Sequence, residues 1–169
     1  MIGGLGAIEG YLRSENGVNL RTDRTMTASQ GPGEGTHKLT CQVFVYGTLK
    51  PGEAAFRRFC EPYIIEQQDA LAPGRLYHLS LGYPALTLES GWVEGTLLTF
   101  SSTTALTKLD EFESFYPDHP QDSEYLRIWH TVYDPDQVFL THAWAYAMTK
   151  KQVDALGGTW LPDGQWTSP

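Results

Sequence analysis

The chain has 169 residues, of which 41% are apolar and 19% charged, and carries a formal net charge of -8. That is enough for one soluble domain with a hydrophobic core. The acidic balance argues against nucleic acid and anionic membrane surfaces as partners, because both are bound mainly through Lys and Arg, and no apolar run approaches the ~20 residues that would span a bilayer.

Residues 1–40 are thin in apolar side chains and rich in glycine (Gly3, Gly4, Gly6, Gly10, Gly17, Gly31, Gly33 and Gly35), which reads as a flexible N-terminal extension. They lack the basic start and apolar stretch of a secretory signal. The cysteines are Cys41 and Cys60, too few for a disulfide framework and without metal-site spacing. The expected address is therefore cytoplasmic and reducing, with Cys41 opening a core strand and Cys60 on the helix that follows.

The body of the domain is expected over residues 41–150. It opens with Val43-Phe44-Val45-Tyr46, a β-branched and aromatic run that stops at Gly47 and runs into Thr48-Leu49-Lys50-Pro51-Gly52. This is a strand followed by a turn, where backbone N–H groups can point at a ligand instead of at a neighbouring strand. An ordinary core strand with a Pro-Gly turn fits this segment equally well. A short helix is expected over residues 53–61 and a strand over 70–80, interrupted by Pro73-Gly74. Residues 81–86 read as a turn-rich loop, and 92–100 as a strand with Gly95 in its middle, suited to a curved sheet.

A helix capped by Ser101 or Ser102 should run to about Ser114. Pro117, His119 and Pro120 mark a polar loop, and residues 125–133 alternate as a strand. On that strand Leu126, Ile128 and Val132 share one face, and Tyr125, Arg127, Trp129 and Tyr133 the other. A last strand is expected over 139–148, and residues 151–169 read as a C-terminal extension without clear period. Strands outnumber helices without regular alternation, which points to an α+β fold, a small mixed β-barrel with flanking helices.

The informative residue is Glu113. With Leu109 at zero on a helical wheel, Leu106, Ala105, Phe112 and Tyr116 fall within about 60° and define an apolar face. Glu113 lies inside it at about +40°, whereas Asp110 at about +100° and Glu111 at about -160° take positions expected of solvated acids. An acid in an apolar stripe is costly unless a partner, a proton or a cavity relieves it. Either the helix ends near Phe112 and Glu113 flares into solvent, or Glu113 points into a pocket with its pKa raised toward neutrality, fit to take and return a proton. Other catalysts have little support. No Gly-x-Ser-x-Gly elbow, Gly-x-Gly-x-x-Gly or Gly-Lys-Thr motif occurs, the histidines have no metal spacing, and His130 alternates with Ile128 and Val132 as a satisfied core histidine would.

Five elements in order resemble the gamma-glutamylcyclotransferase-like superfamily, which includes gamma-glutamylamine cyclotransferases and plant avirulence-induced-gene-like proteins. They are the segment from Val45 to Gly52, then Gly82-Tyr83-Pro84-Ala85, Val93-Glu94-Gly95, Leu109-Asp110-Glu111-Phe112-Glu113, and Tyr125-Leu126-Arg127. The resemblance implies one cavity in which Tyr46, Gly47, Thr48 and Leu49 bind substrate through backbone N–H groups. It further implies that Glu113 is the catalytic carboxylate and that Tyr125 shapes the pocket. Two departures are Ser114, where a glycine is usual, and a long loop over residues 115–124. The implied reaction is attack of the alpha-amine of a gamma-glutamyl compound on its own gamma-carbonyl, releasing 5-oxoproline and an amine or amino acid, with no metal and no organic cofactor. A non-catalytic binding domain using the same pocket, and a different amide or lyase reaction, remain open alternatives. So do the leaving group and the oligomeric state, although an acidic body mildly disfavours highly anionic substrates.

Overall fold

The computed structural model describes residues 40–169. Apart from Thr40, the N-terminal extension lies outside the described residues. Within them the order is β1 (Cys41–Val45), α1 (Ala54–Phe59), β2 (Ile64–His78), β3 (Pro84–Phe100), α2 (Thr104–Phe112), a 3-10 turn at Pro120–Asp122, β4 (Leu126–Tyr133), β5 (Phe139–Ala147), α3 (Lys150–Ala155) and β6 (Thr159–Leu161).

The six strands form one mixed sheet in the order β3-β1-β5-β4-β2-β6, and β2 also pairs with β3, which closes a ring. Only β1 and β5 run parallel. The seams between β2 and β4 (Leu71 with Tyr133) and between β1 and β5 (Val43 with Trp144) are one residue pair each, so the sheet is a ring of pairings with two thin seams and not a continuous barrel. The expected α+β class with a mixed sheet and outlying helices stands.

Alternation along β1 shows how the ring divides its apolar residues. Phe44 and Tyr46 join Leu76, Leu86, Val93, Leu97, Val132 and the β5 alanines Ala143, Ala145 and Ala147 in one cluster, which contains no helical residue. Cys41, Val43 and Val45 join Leu98, Phe100 and the helical side chains Phe56, Ala105, Leu109 and Val153 in the other. The helices thus pack on the outside of the ring. At Gly95 the ring is so tight that an added Cβ would lie 2.4 Å from the Val45 carbonyl oxygen.

The β2–β3 hairpin is longer than the sequence suggests. β3 begins at Pro84, so residues 84–86 of the expected loop are strand, and β2 begins at Ile64. The first half of β2 is exposed and polar, so its pattern carries little strand signal, and backbone pairing to β3 holds it. Pro73-Gly74 does not end the strand but makes an irregularity in the ladder, with Gly74 at φ 150°. His130 is hydrogen-bonded as expected, with Nε2 2.7 Å from the Pro73 carbonyl oxygen, but it is half-buried and not in the core. Both cysteines are buried and free. Residues 151–169 hold most of α3, the strand β6 paired to β2, and buried Trp166, whose indole N–H donates to His78 Nδ1 at 2.9 Å. Among the described residues no helix is long and apolar enough to cross a membrane.

Candidate active site

At the end of β1 the chain makes a turn in which Lys50 N donates to the Gly47 carbonyl at 2.9 Å. Among the described residues the N–H groups of Gly47, Thr48 and Leu49 donate to no protein acceptor. Pro84 closes over the turn so tightly that a Cβ on Gly47 would lie 2.4 Å from Pro84 Cγ. Glycine is required there by close approach. Lys50 Nζ donates to the Trp166 carbonyl at 2.6 Å, and Ser168 donates to the Glu53 carboxylate, so the C-terminal segment braces this loop.

At its C-terminus α2 ends in a Schellman arrangement. Phe115 N donates to the Asp110 carbonyl at 2.8 Å and Ser114 N to the Glu111 carbonyl at 3.3 Å. Ser114 takes the left-handed conformation this stop needs, at φ 50°. Here the departure from glycine has a physical cost, because a Cβ strains that conformation. The stop makes Phe112 the last residue of the helix and Glu113 its C-cap, one position beyond. The helix is therefore shorter than expected, and its N-cap is Thr103, although Ser102 Oγ accepts from Thr104 N at 3.2 Å. Tyr116 leaves the apolar face and is 52% exposed, because the chain has already turned at Ser114.

Glu113 does not flare into solvent. It lines a cavity of about 200 Å³ whose wall also includes Phe44, Tyr46, Gly47, Thr48, Leu49, Tyr83, Glu124, Tyr125 and Tyr146. All six residues singled out from sequence (Tyr46, Gly47, Thr48, Leu49, Glu113 and Tyr125) thus meet at one hollow. Burial pushes the Glu113 carboxyl up to about 8, with a further push from the Glu124 carboxylate. A wider depression of about 900 Å³ beside Trp92 and Trp166 has Asp69, Glu94 and Asp163 on its wall, all exposed.

The two tyrosines have their hydroxyl protons engaged elsewhere. Tyr46 donates to the Tyr146 carbonyl at 2.7 Å while accepting from Leu86 N at 3.2 Å, and Tyr125 donates to the Pro84 carbonyl at 2.6 Å. Burial raises both phenols far above their ordinary range, so both stay neutral. Toward a ligand they offer lone pairs only. The wall of the hollow thus combines the carboxylic side chains Glu113 and Glu124 and the two tyrosines with turn residues whose N–H groups have no protein acceptor among the described residues.

Three features were not visible in sequence. Asp110, expected to be solvated or bonded to nearby backbone, is 9% exposed, pairs with Arg127 Nη1 at 2.6 Å and accepts from Tyr146 Oη at 2.8 Å. Arg127 also lies over Trp144, 4.8 Å from the ring centroid, so this unit locks α2 against β4 and β5. Tyr83 and Glu124 reach the wall together, the Tyr83 hydroxyl donating to Glu124 Oε1. No periodicity signals these residues, since turns and a long loop deliver them. Among the described residues no cluster of His, Cys, Asp and Glu could hold a metal ion.

Comparison with known proteins gives the family and the fold. A family profile described as gamma-glutamyl cyclotransferase, AIG2-like, matches residues 43–168. The gamma-L-glutamyl-butirosin B gamma-glutamyl cyclotransferase of Niallia circulans is 35% identical over 74 residues, which is 44% of this chain and 46% of that protein. The chain therefore spans less than half the length of that relative. A Halalkalibacterium halodurans protein provisionally named gamma-glutamylcyclotransferase is 35% identical over 95 residues, covering 55% of this chain and 78% of its own. In fold, the chain is similar to the crystal structure of an AIG2-like protein from Mus musculus, with a TM-score of 0.58 and 18% identity over 76% of this chain and 88% of that one. The profile match begins inside β1, ends beyond Trp166 and takes in every residue on the cavity wall, and on that extent the chain belongs to the gamma-glutamyl cyclotransferase, AIG2-like family.

Proposed function

We propose that the chain is a gamma-glutamyl cyclotransferase-type enzyme that converts a small gamma-glutamyl compound to 5-oxoproline and a free amine or amino acid. The observation that carries this reading is the single hollow lined both by Gly47, Thr48 and Leu49, whose N–H groups have no protein acceptor among the described residues, and by half-buried Glu113.

Nucleophile and electrophile belong to the same substrate molecule, so the first task is to hold the productive rotamer. The turn N–H groups suit the alpha-carboxylate of the glutamyl unit, and can also steady charge on the gamma-carbonyl oxygen. Tyr46 and Tyr125 accept from the alpha-amine, which is the role left to hydroxyls whose protons are committed. The amine attacks the gamma-carbonyl carbon, forming the ring C–N bond. Glu113 takes the proton from the attacking nitrogen and delivers it to the leaving nitrogen as the original amide C–N bond breaks. A carboxyl held at about 8 is matched to both halves of that transfer near neutral pH.

The test is a panel of gamma-glutamyl amino acids, dipeptides and amines, with 5-oxoproline as the readout. Wild-type turnover that falls ~100-fold or more in Glu113→Gln supports the enzyme and its base. Binding of the panel without turnover by the wild type would instead make this a binding domain.

A further inference from the structure

We infer that Glu124, carried by the loop over residues 115–124, is a specificity-determining residue that reads the charge of the leaving group, admitting amines with a second ammonium and rejecting those that end in a carboxylate. This inference rests on the proposed function and assigns the part of the cavity that the glutamyl unit does not use.

The loop is built to place this side chain. It starts at the Schellman stop, makes a 3-10 turn at Pro120–Asp122, and returns so that Glu124 N donates to the Ser114 carbonyl at 3.1 Å. Tyr116 N donates to Ser123 Oγ at 2.9 Å across the loop. From the other side, Gln152 Nε2 donates to the Glu124 carbonyl at 3.2 Å, and Gln152 is itself fixed by the capping box of α3. The backbone of Glu124 is thus tied to α2 and to α3. Its side chain joins the cavity wall, where it meets the Tyr83 hydroxyl.

Charge balance separates Glu124 from the acids that serve the fold. Partly buried Asp110 and Glu89 each have an arginine partner, Arg127 and Arg75. Neither Glu113 nor Glu124 has a cationic partner among the described residues, and no Lys, Arg or His lines the cavity. Tyr83 occupies Oε1 of Glu124, while Oε2 has no protein partner among the described residues. A carboxylate so placed, lacking a counter-ion, favours a ligand that brings one. The same field disfavours a ligand carboxylate, which is discrimination by repulsion. Its reach into the cavity is consistent with its upward push on the Glu113 carboxyl.

The test uses gamma-glutamyl amides of matched length whose leaving amine is an alkanediamine, an alkylamine or an amino acid. The readout is the ratio of kcat/KM for the diamine over the amino acid, for wild type, Glu124→Gln, Glu124→Lys and the exposed control Glu111→Gln. We expect the wild-type ratio to fall about tenfold or more in Glu124→Gln, as for loss of one charged hydrogen bond, and to invert in Glu124→Lys, with Glu111→Gln unmoved. Tyr83→Phe, which keeps the carboxylate and frees Oε1 for the ligand ammonium, should raise the ratio, and stands in if a Glu124 variant fails to fold. A ratio unchanged in Glu124→Gln, or lowered in Tyr83→Phe, overturns the inference. If the wild type turns over none of the amides, the proposed function fails by itself, and the ratio is then read from binding constants of the same proteins by calorimetry. A binding preference that follows Glu124 keeps the inference, and equal or absent binding overturns it.

Discussion

Glu113→Gln separates what the fold tolerates from what the site requires. The carboxyl sits at about 8 in the folded protein against 4.5 for a solvated glutamate, because burial disfavours its charged form. Its folded pKa is raised, so the unfolded chain releases this proton first as pH rises. Stability from this group is fully present below pH 4.5, declines between 4.5 and about 8, and levels off above. That window spans about 3.5 pH units at about 1.4 kcal/mol each, or about 5 kcal/mol in all. Glu113 is only half-buried and keeps part of its hydration, which makes this an upper bound. Glutamine keeps the shape and never ionises. Urea unfolding of both proteins across the window should show near-equal stability at its acid end and a growing advantage for the variant, up to about 5 kcal/mol, at its alkaline end. The difference between the two curves isolates Glu113 from other titrating groups. A difference that stays within about 0.5 kcal/mol throughout would refute the buried-carboxylate reasoning.

Activity should carry the same signature. Because Glu113 must lose its proton to accept one, kcat/KM should rise with pH through an apparent value near 8, overlaid on the substrate amine. Glu124→Gln should move the Glu113 limb to lower pH, since it removes a like charge, and an unmoved limb would mean the two carboxylates do not interact. Ser114→Gly should raise stability by roughly 0.5–1 kcal/mol in urea unfolding, by relieving the left-handed Cβ at φ 50°. Gly47→Ala should displace Pro84, whose carbonyl holds the Tyr125 hydroxyl, at a cost of ~1–3 kcal/mol in stability, with kcat/KM falling further than stability alone accounts for.

The sequence carried most where local chemistry and final environment coincide. β1 reads as a strand because its side chains alternate between the two apolar clusters, and its abrupt end at Gly47 reads as a turn because Pro84 leaves no room for a Cβ. Glu113 stood out because a wheel reports which face a side chain occupies. The same wheel misplaced Asp110, because it cannot report that Arg127 and Tyr146 wait on strands reached much later in the chain. The start of β3 was hidden by Gly82 and Pro84, residues that signal turns locally but here precede and open a strand held by its ladder to β2. Glu124 had no local mark at all. Its position depends on the stop at Ser114 and on Gln152, contacts made only once the chain has closed.

The most direct test of the central claim is 5-oxoproline release from gamma-glutamyl substrates by wild type and by folded Glu113→Gln, measured side by side. The geometry predicts release by the wild type and a loss of ~100-fold or more in the variant. Equal release by both proteins would contradict the role given to Glu113, and none from either would contradict the reaction.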